Sequence, residues 1–178
     1  RKQEKMVARQ ARREQLKRLH RAQAIQRQLE EVAEKQRNLE ERGVAVEKSI
    51  RRETGAEASP TDDFEEAQLY QTWFELVLEK NRLTRYESEL MIFAQELELE
   101  DTQSRLQQDL RQRMATDDTK KSASELQEEQ QILSEIMRTV EKRDALVSVL
   151  EEQRLKERAE DRDLESLVLS RGYDFHWA

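Results

Sequence analysis

Side chains that commonly carry catalysis are scarce in this chain: two histidines and no cysteine in 178 residues, against 39 carboxylates and 32 lysines or arginines. His20 stands among Arg and Lys on a solvated stretch, and His176 sits in the C-terminal "DFHWA". Neither is spaced to pair with a nucleophile or to complete a metal cluster. The carboxylates mostly stand four residues from a Lys or Arg, the spacing of ion pairs along a helix surface. No enzymatic activity, metal or cofactor is expected. Lack of cysteine removes disulfide and thiolate chemistry and fits a reducing compartment. No apolar run approaches the roughly 18 residues of a membrane span, and no signal peptide is visible. The chain opens without Met and in helical character, so it is expected to be a piece of something larger. What remains is contact chemistry: the apolar and charged groups left over once the fold has used what it needs.

Those groups ride on helices. Charged residues make up 40% of the chain and Gly plus Pro only four positions, so turns are few. In "LYQTWFELVLEKNRLTRYESELMIFAQEL", Leu69, Leu76, Leu83, Leu90 and Leu97 stand seven apart. A simple two-stranded zipper would leave heptad positions b and c in water. Here those positions hold Tyr70, Val77, Leu78, Met91, Ile92 and Leu99. Exposing six such side chains forfeits roughly 9 kcal/mol at about 1.5 kcal/mol each, comparable with the whole stability of a domain. This helix therefore has two apolar faces and needs two partners.

Only "TGAEASPTDD" (54–63) and "MATDDTKKSASE" (114–125) break the pattern. Ser59 or Thr61 as N-cap with Pro60 behind it starts one helix, and Ser122 with Glu125 in capping-box spacing starts another, Asp118 being an alternative cap. Gly172 is the expected stop. The expected fold is all-α, one domain over 1–178. It comprises three long antiparallel helices near 2–53, 61–115 and 119–171, the outer two folded back on the central one with coiled-coil-like packing, and a tail over 172–178. At about 50 residues each helix is about 75 Å long, and turns this short make neighbours antiparallel.

The first helix offers one seam, Ala22, Ile25, Leu29, Val32, Leu39, Val46 and Ile50, interrupted by Gln36 and Gly43. The expected register sets Gly43 against Trp73. It also sets Lys17, Arg18 and Arg21 against "ELELED" (96–101). Residues 1–27 carry ten Lys or Arg against Glu4 and Glu14, a net +8, so the rest of the chain carries −15. Internal pairing of this basic end is favoured over an acidic protein partner, lipid or nucleic acid, and the aromatic interleaving of nucleic-acid binders is missing. In the third helix the seam is read as Leu126, Leu133, Ile136, Val140, Val147 and Leu150. Leu146 and Val149 then widen the apolar stripe, facing Phe74, Val77 and Leu78 in the first half of helix 2. Such a surplus is an internal contact or a partner site.

"AEKQRNL" (33–39), "LEKNRL" (78–83) and "VEKRDAL" (140–146) look like one phrase written three times, through chance or through duplication of a helical hairpin. At "LVLEKNRLTRYESELMIFAQELELEDTQSRLQQDLRQRM" (76–114), followed by "VEKRDALVSVLEEQRLKERAEDRDLE" (140–165), the chain resembles the bivalent MICAL/EHBP Rab-binding (bMERB) domain, and the MICAL branch more than the EHBP branch. The resemblance implies three helices that bind active Rab GTPases at up to two sites. One site would join the first half of helix 2 to the second half of helix 3: Phe74, Val77, Leu78 and Asn81 with Arg143, Leu146, Val149, Leu150 and Gln153. The other would join the first half of helix 1 to the second half of helix 2: Leu19, Ala22, Gln23 and Gln26 with Met91, Gln95 and Glu98. It further implies a monomeric, non-catalytic module, cytoplasmic and recruited to Rab-bearing membranes, touching the membrane only through Rab. Nucleic acid is not an implied partner. Contacts with other portions of a parent protein, relief of its autoinhibition and an association with the cytoskeleton through it belong to the same implication. The flavin monooxygenase, calponin-homology and LIM portions of MICAL proteins are not among these residues, so their chemistry does not transfer. The competing reading is a coiled-coil spacer or assembly module of spectrin or tropomyosin type.

Overall fold

A computed structural model describes residues 1–54 and 63–169. They form helices α1 (Lys2–Thr54), α2 (Asp63–Met114) and α3 (Ala123–Leu169), with a 3-10 turn at Asp118–Lys120. No strand occurs among the described residues. The all-α class is as expected. Ser122 does cap α3: its Oγ accepts from the Glu125 N–H at 3.2 Å, and the Leu126 N–H bonds the Ser122 carbonyl at 3.1 Å. Asp117 caps the 3-10 turn, accepting from the Thr119 N–H at 3.4 Å, so Asp118 is not the cap. Asp118 instead joins Glu129 in holding the Lys121 ammonium, at 3.0 and 2.5 Å. The hydrogen bond to Glu129 is the main cause that keeps Lys121 protonated above its ordinary range. The expected start at Ser59, Pro60 and Thr61 and the tail with Gly172, Phe175, His176 and Trp177 lie outside the described residues.

The chain divides into two compact units, each drawing on all three helices: residues 1–26 with 90–152, and residues 27–89 with 153 onward. In the first unit, the buried Arg18 reaches Asp101 at 3.5 Å and Glu100 at 4.0 Å, and Arg21 reaches Glu100 at 3.3 Å. Arg113 bonds Glu128 at 2.6 Å, and Arg143 bonds Gln103 at 2.8 Å and Glu96 at 3.4 Å. Partner numbers fall as the first helix's numbers rise, so both neighbours of α2 run antiparallel to it here. Expected pairing of the basic end is thus met by Arg18 and Arg21, while Lys17 is exposed and takes no part.

In the second unit, Val32, Leu39 and Ile50 of α1 and Trp73, Leu76, Val77 and Leu83 of α2 form the core, with Trp73 fully buried. Gln36 donates to Glu87 at 2.9 Å. That pair fixes the register, and counting one heptad from it sets buried Gly43 level with Lys80. Trp73 is about two turns farther on. The expected Gly43–Trp73 facing pair is therefore corrected: a glycine in the seam is right, its partner is not. Arg85 grips Asp161 with two bonds of 2.7 and 2.8 Å, and Arg154 reaches Glu89 at 3.2 Å.

The leucines follow from these contacts. Leu83, Leu90 and Leu97 stand three or four residues from Glu87 or Asp101, the residues that meet α1, so they share that face. Arg85, Glu89, Glu96 and Gln103 mark the other face, toward α3. The seven-residue spacing serves packing within the chain.

Helix α3 departs from expectation. Its inward positions are Glu129, Ile132, Ile136, Thr139, Arg143, Leu146, Leu150, Gln153 and Glu157. Leu126, Leu133, Val140 and Val147, read as seam, are exposed. Two stripes of period seven run side by side along this helix, and the more apolar one faces out. The inward stripe wins because α2 presents Glu96, Gln103 and Arg85, which match Arg143, Glu157 and Asp161. Polar seam residues of this kind fix register at a cost in stability.

Candidate partner-binding surfaces

Two places combine exposed groups with a fixed backbone. In the first unit the Arg18 and Arg21 ion pairs lock α1 to α2 and set the neighbouring side chains in place. Leu19 is 53% exposed and Met91 51% exposed. Ala22, Gln23, Gln26, Gln95 and Glu98 are exposed with them. By the Arg21–Glu100 pair, Gln23 lies level with Glu98, and Met91 stands about two turns farther along α2. Leu19 is level with Thr102 in that register, about three turns from Met91, so these are two separate exposed apolar groups on helices that also expose amides, the residue types of a protein contact.

In the second unit a depression of about 250 Å³ is lined by Asn81, Thr84, Arg85 and Ser88 of α2 and by Gln153, Lys156, Glu157 and Glu160 of α3. The Gln153 Oε1 is buried there with no hydrogen-bond partner, an uncommon and costly state for a carbonyl. Burial is the first cause that pushes the Glu157 carboxyl up from its ordinary value, helped by Glu89, Glu160 and Asp161 and opposed by Arg85. The hydrogen bond to Asp161 holds Arg85 above its already high range. The depression presents the Asn81 amide, the Thr84 and Ser88 hydroxyls and the Lys156 ammonium. These are groups for orienting a polar partner surface, and no nucleophile and base are paired among them.

Among the residues expected to form one site on α2 and α3, the structure brings Asn81 and Gln153 together in this depression. Phe74 and Leu78 are half-buried nearby in the same unit. Val77 is buried at 8% and belongs to the core. Arg143, Leu146, Val149 and Leu150 belong to the first unit. There Arg143 meets Glu96 and Gln103, so Leu146 and Val149, one to two turns past it, lie along the second half of α2. Their expected neighbour was the first half. Leu146 and Leu150 are seam residues, whereas Val149 is exposed. The expected site on α1 and α2 lies within one unit entirely.

Sequence reasoning paired Arg18 with the acidic stretch of α2 but left it out of the buried seam, and it missed Arg85. Arg18 stands seven residues before Ile25 and fourteen before Val32, so extending the heptad would have put it in the seam. For Arg85 no comparable local signal exists, since Glu157 and Asp161 are 72 and 76 residues away.

Residues 25–164 match the family model described as the bivalent Mical/EHBP Rab binding domain. The chain is 75% identical over 176 residues to the F-actin monooxygenase mical2b of Danio rerio, covering 99% of this chain and 10% of that protein. It is 61% identical over 175 residues to human F-actin monooxygenase MICAL3, covering 98% and 8%. Against rat MICAL2 it is 60% identical over 172 residues, covering 97% and 8%. The chain thus spans about a tenth of the length of these relatives, and what it matches is a helical module that is not catalytic. No described helix is long and apolar enough to cross a membrane. With three packed helices and a match over most of its length, the chain belongs to the bivalent Mical/EHBP Rab binding domain family, whose members bind Rab GTPases.

Proposed function

We propose that the chain is an effector module for Rab GTPases in the GTP state, with one binding surface in each unit. The observation that carries this reading is the family match over residues 25–164. Leu19 and Met91, exposed in the first unit, and Asn81 and Lys156, lining the depression in the second, supply places for contact. Switch segments ordered by the γ-phosphate would offer the apolar surface that Leu19 and Met91 need, and disordered switches would not. Discrimination between nucleotide states then requires no rearrangement of the module. The surface on α2 and α3 comprises Asn81 and Gln153 with the half-buried Phe74 and Leu78, all within the second unit. In a parent protein, Rab capture would bring it to Rab-bearing membranes and release contacts with its other portions.

Titration calorimetry against a panel of GTP- and GDP-loaded Rabs tests this. Leu19→Asp should weaken binding at the first surface by roughly 2 kcal/mol, because a charge would be buried without a counter-ion. Lys156→Glu should act on the second surface alone. Equal heats for GTP and GDP forms, or no Rab that responds to either variant, would sink the reading. One observation favours a second reading, a helix-pairing assembly module: Leu126, Leu133, Val140 and Val147 are exposed at seven-residue spacing. Light scattering with and without a GTP-loaded Rab separates the two.

A further inference from the structure

Six cations of α1 stand apart from the ion pairs that hold the fold. Lys2, Lys5, Arg9, Arg12, Arg13 and Lys17 are exposed, and none has an ion pair among the described residues. Arg18, by contrast, is turned inward and paired. Helical spacing sorts them further. Positions 2, 5, 9, 12 and 13 recur at three- and four-residue steps, so they share one face. That face points away from the seam that contains Arg18, and Leu16, 56% exposed, continues it. Both acids of the segment, Glu4 and Glu14, fall elsewhere on the helix. The outcome is a basic stripe about 17 Å long over residues 2–13, with Met6 exposed beside the cations and Leu16 just beyond them.

We propose that this stripe docks on an anionic lipid surface, with α1 lying in the plane of the headgroups. A line of exposed cations without ion pairs among the described residues suits a flat field of charge; a fixed acidic protein site would call for cations held in place. Arg and Lys stems bury along apolar boundary while their charges stay in water, and Met6 and Leu16 supply apolar groups to sink beside them. The absence of aromatic residues between the cations argues against a nucleic acid. The remainder of the chain, net −15 outside residues 1–27, is repelled by an anionic leaflet, so contact is confined to the stripe. The surface is independent of the Rab reading and uses none of its residues. Membrane contact would then be direct as well as through Rab.

Vesicle co-sedimentation of the 178-residue chain without any Rab tests it, using phosphatidylcholine alone and phosphatidylcholine with about one part in three phosphatidylserine. The chain should bind the anionic vesicles, not the neutral ones, and release them as salt rises from about 0.1 to 0.5 M. Each cation near an anionic leaflet strengthens partition about fivefold. The triple change Lys5→Gln, Arg9→Gln, Arg12→Gln should therefore weaken binding about 100-fold. A control of equal charge, Lys35→Gln, Arg37→Gln, Arg42→Gln, should leave binding within about threefold, since those exposed residues lie off the stripe. Equal losses from both triples, or no binding to the anionic vesicles, would overturn the proposal. If vesicles fail while the stripe triple still weakens a GTP-loaded Rab, the stripe serves an acidic protein surface instead, which also overturns it.

Discussion

Single residues in this module are informative where charge is taken partly out of water. Glu157 lies beside the Arg85–Asp161 pair, 3.8 Å from the Arg85 Nε, and burial raises its carboxyl above the ordinary range. A carboxyl raised in the folded state contributes stability below its ordinary value of about 4.3, and that contribution is lost as pH climbs through the raised value. At neutral pH the charged Glu157 is therefore a cost. Glu157→Gln removes it while Arg85 keeps Asp161 and the Glu157 main-chain carbonyl, at 3.2 Å. Melting curves should coincide for parent and variant near pH 4. The variant should melt about 1–3 °C higher at pH 7. A variant less stable than the parent at pH 7 would mean that the Arg85 attraction outweighs burial. None of this was legible in the sequence, where Glu157 is one acid among many; the long-range neighbour decides.

Elements were far more legible than residues. Scarce Gly and Pro and two cap signals foretold three helices, and the crowded b and c positions of α2 foretold its two partners. Legibility failed on α3, where period seven is obeyed by two adjacent stripes and counting cannot choose between them. Leu146 and Val147 are neighbours that fell on the wrong sides: Leu146 is inward, while Val147 is 53% exposed. Aspartate at each position checks the corrected seam. Leu146→Asp buries a charge without a partner and should cost about 2–4 kcal/mol. Val147→Asp and Val149→Asp should each stay within about 0.5 kcal/mol of the parent. Denaturant titrations followed by circular dichroism measure all three. Loss of stability at Val147 alone would restore the seam read from the sequence. The Arg143–Glu96 and Arg143–Gln103 bonds explain why polarity, and not only apolar count, selects the inward face.

At the scale of the molecule, the two units each carry one candidate surface, and the recurring phrase supplies matching seam residues. Gln36, Asn81 and Arg143 occupy the same place in "EKQRNL", "EKNRL" and "EKRDAL". Gln36 bonds Glu87, Asn81 lines the second surface, and Arg143 bonds Gln103 and Glu96. A polar residue at the same place in each phrase is what duplication of a hairpin would leave behind. The consequence is a counting prediction. A chain with a surface in each unit should take two Rab molecules, and the free chain should be monomeric because both faces of α2 are already covered by α1 and α3. Sedimentation velocity with a GTP-loaded Rab in excess should show a complex of one chain with two Rabs, and one Rab only after Leu19→Asp. The same single occupancy should follow Lys156→Glu, and the double variant should sediment as the free chain. If either single variant abolishes all binding, the two surfaces are parts of one site. If the free chain already sediments as a dimer, the exposed Leu126, Leu133, Val140 and Val147 stripe is its interface, and the count of Rabs per chain must be taken again on that dimer.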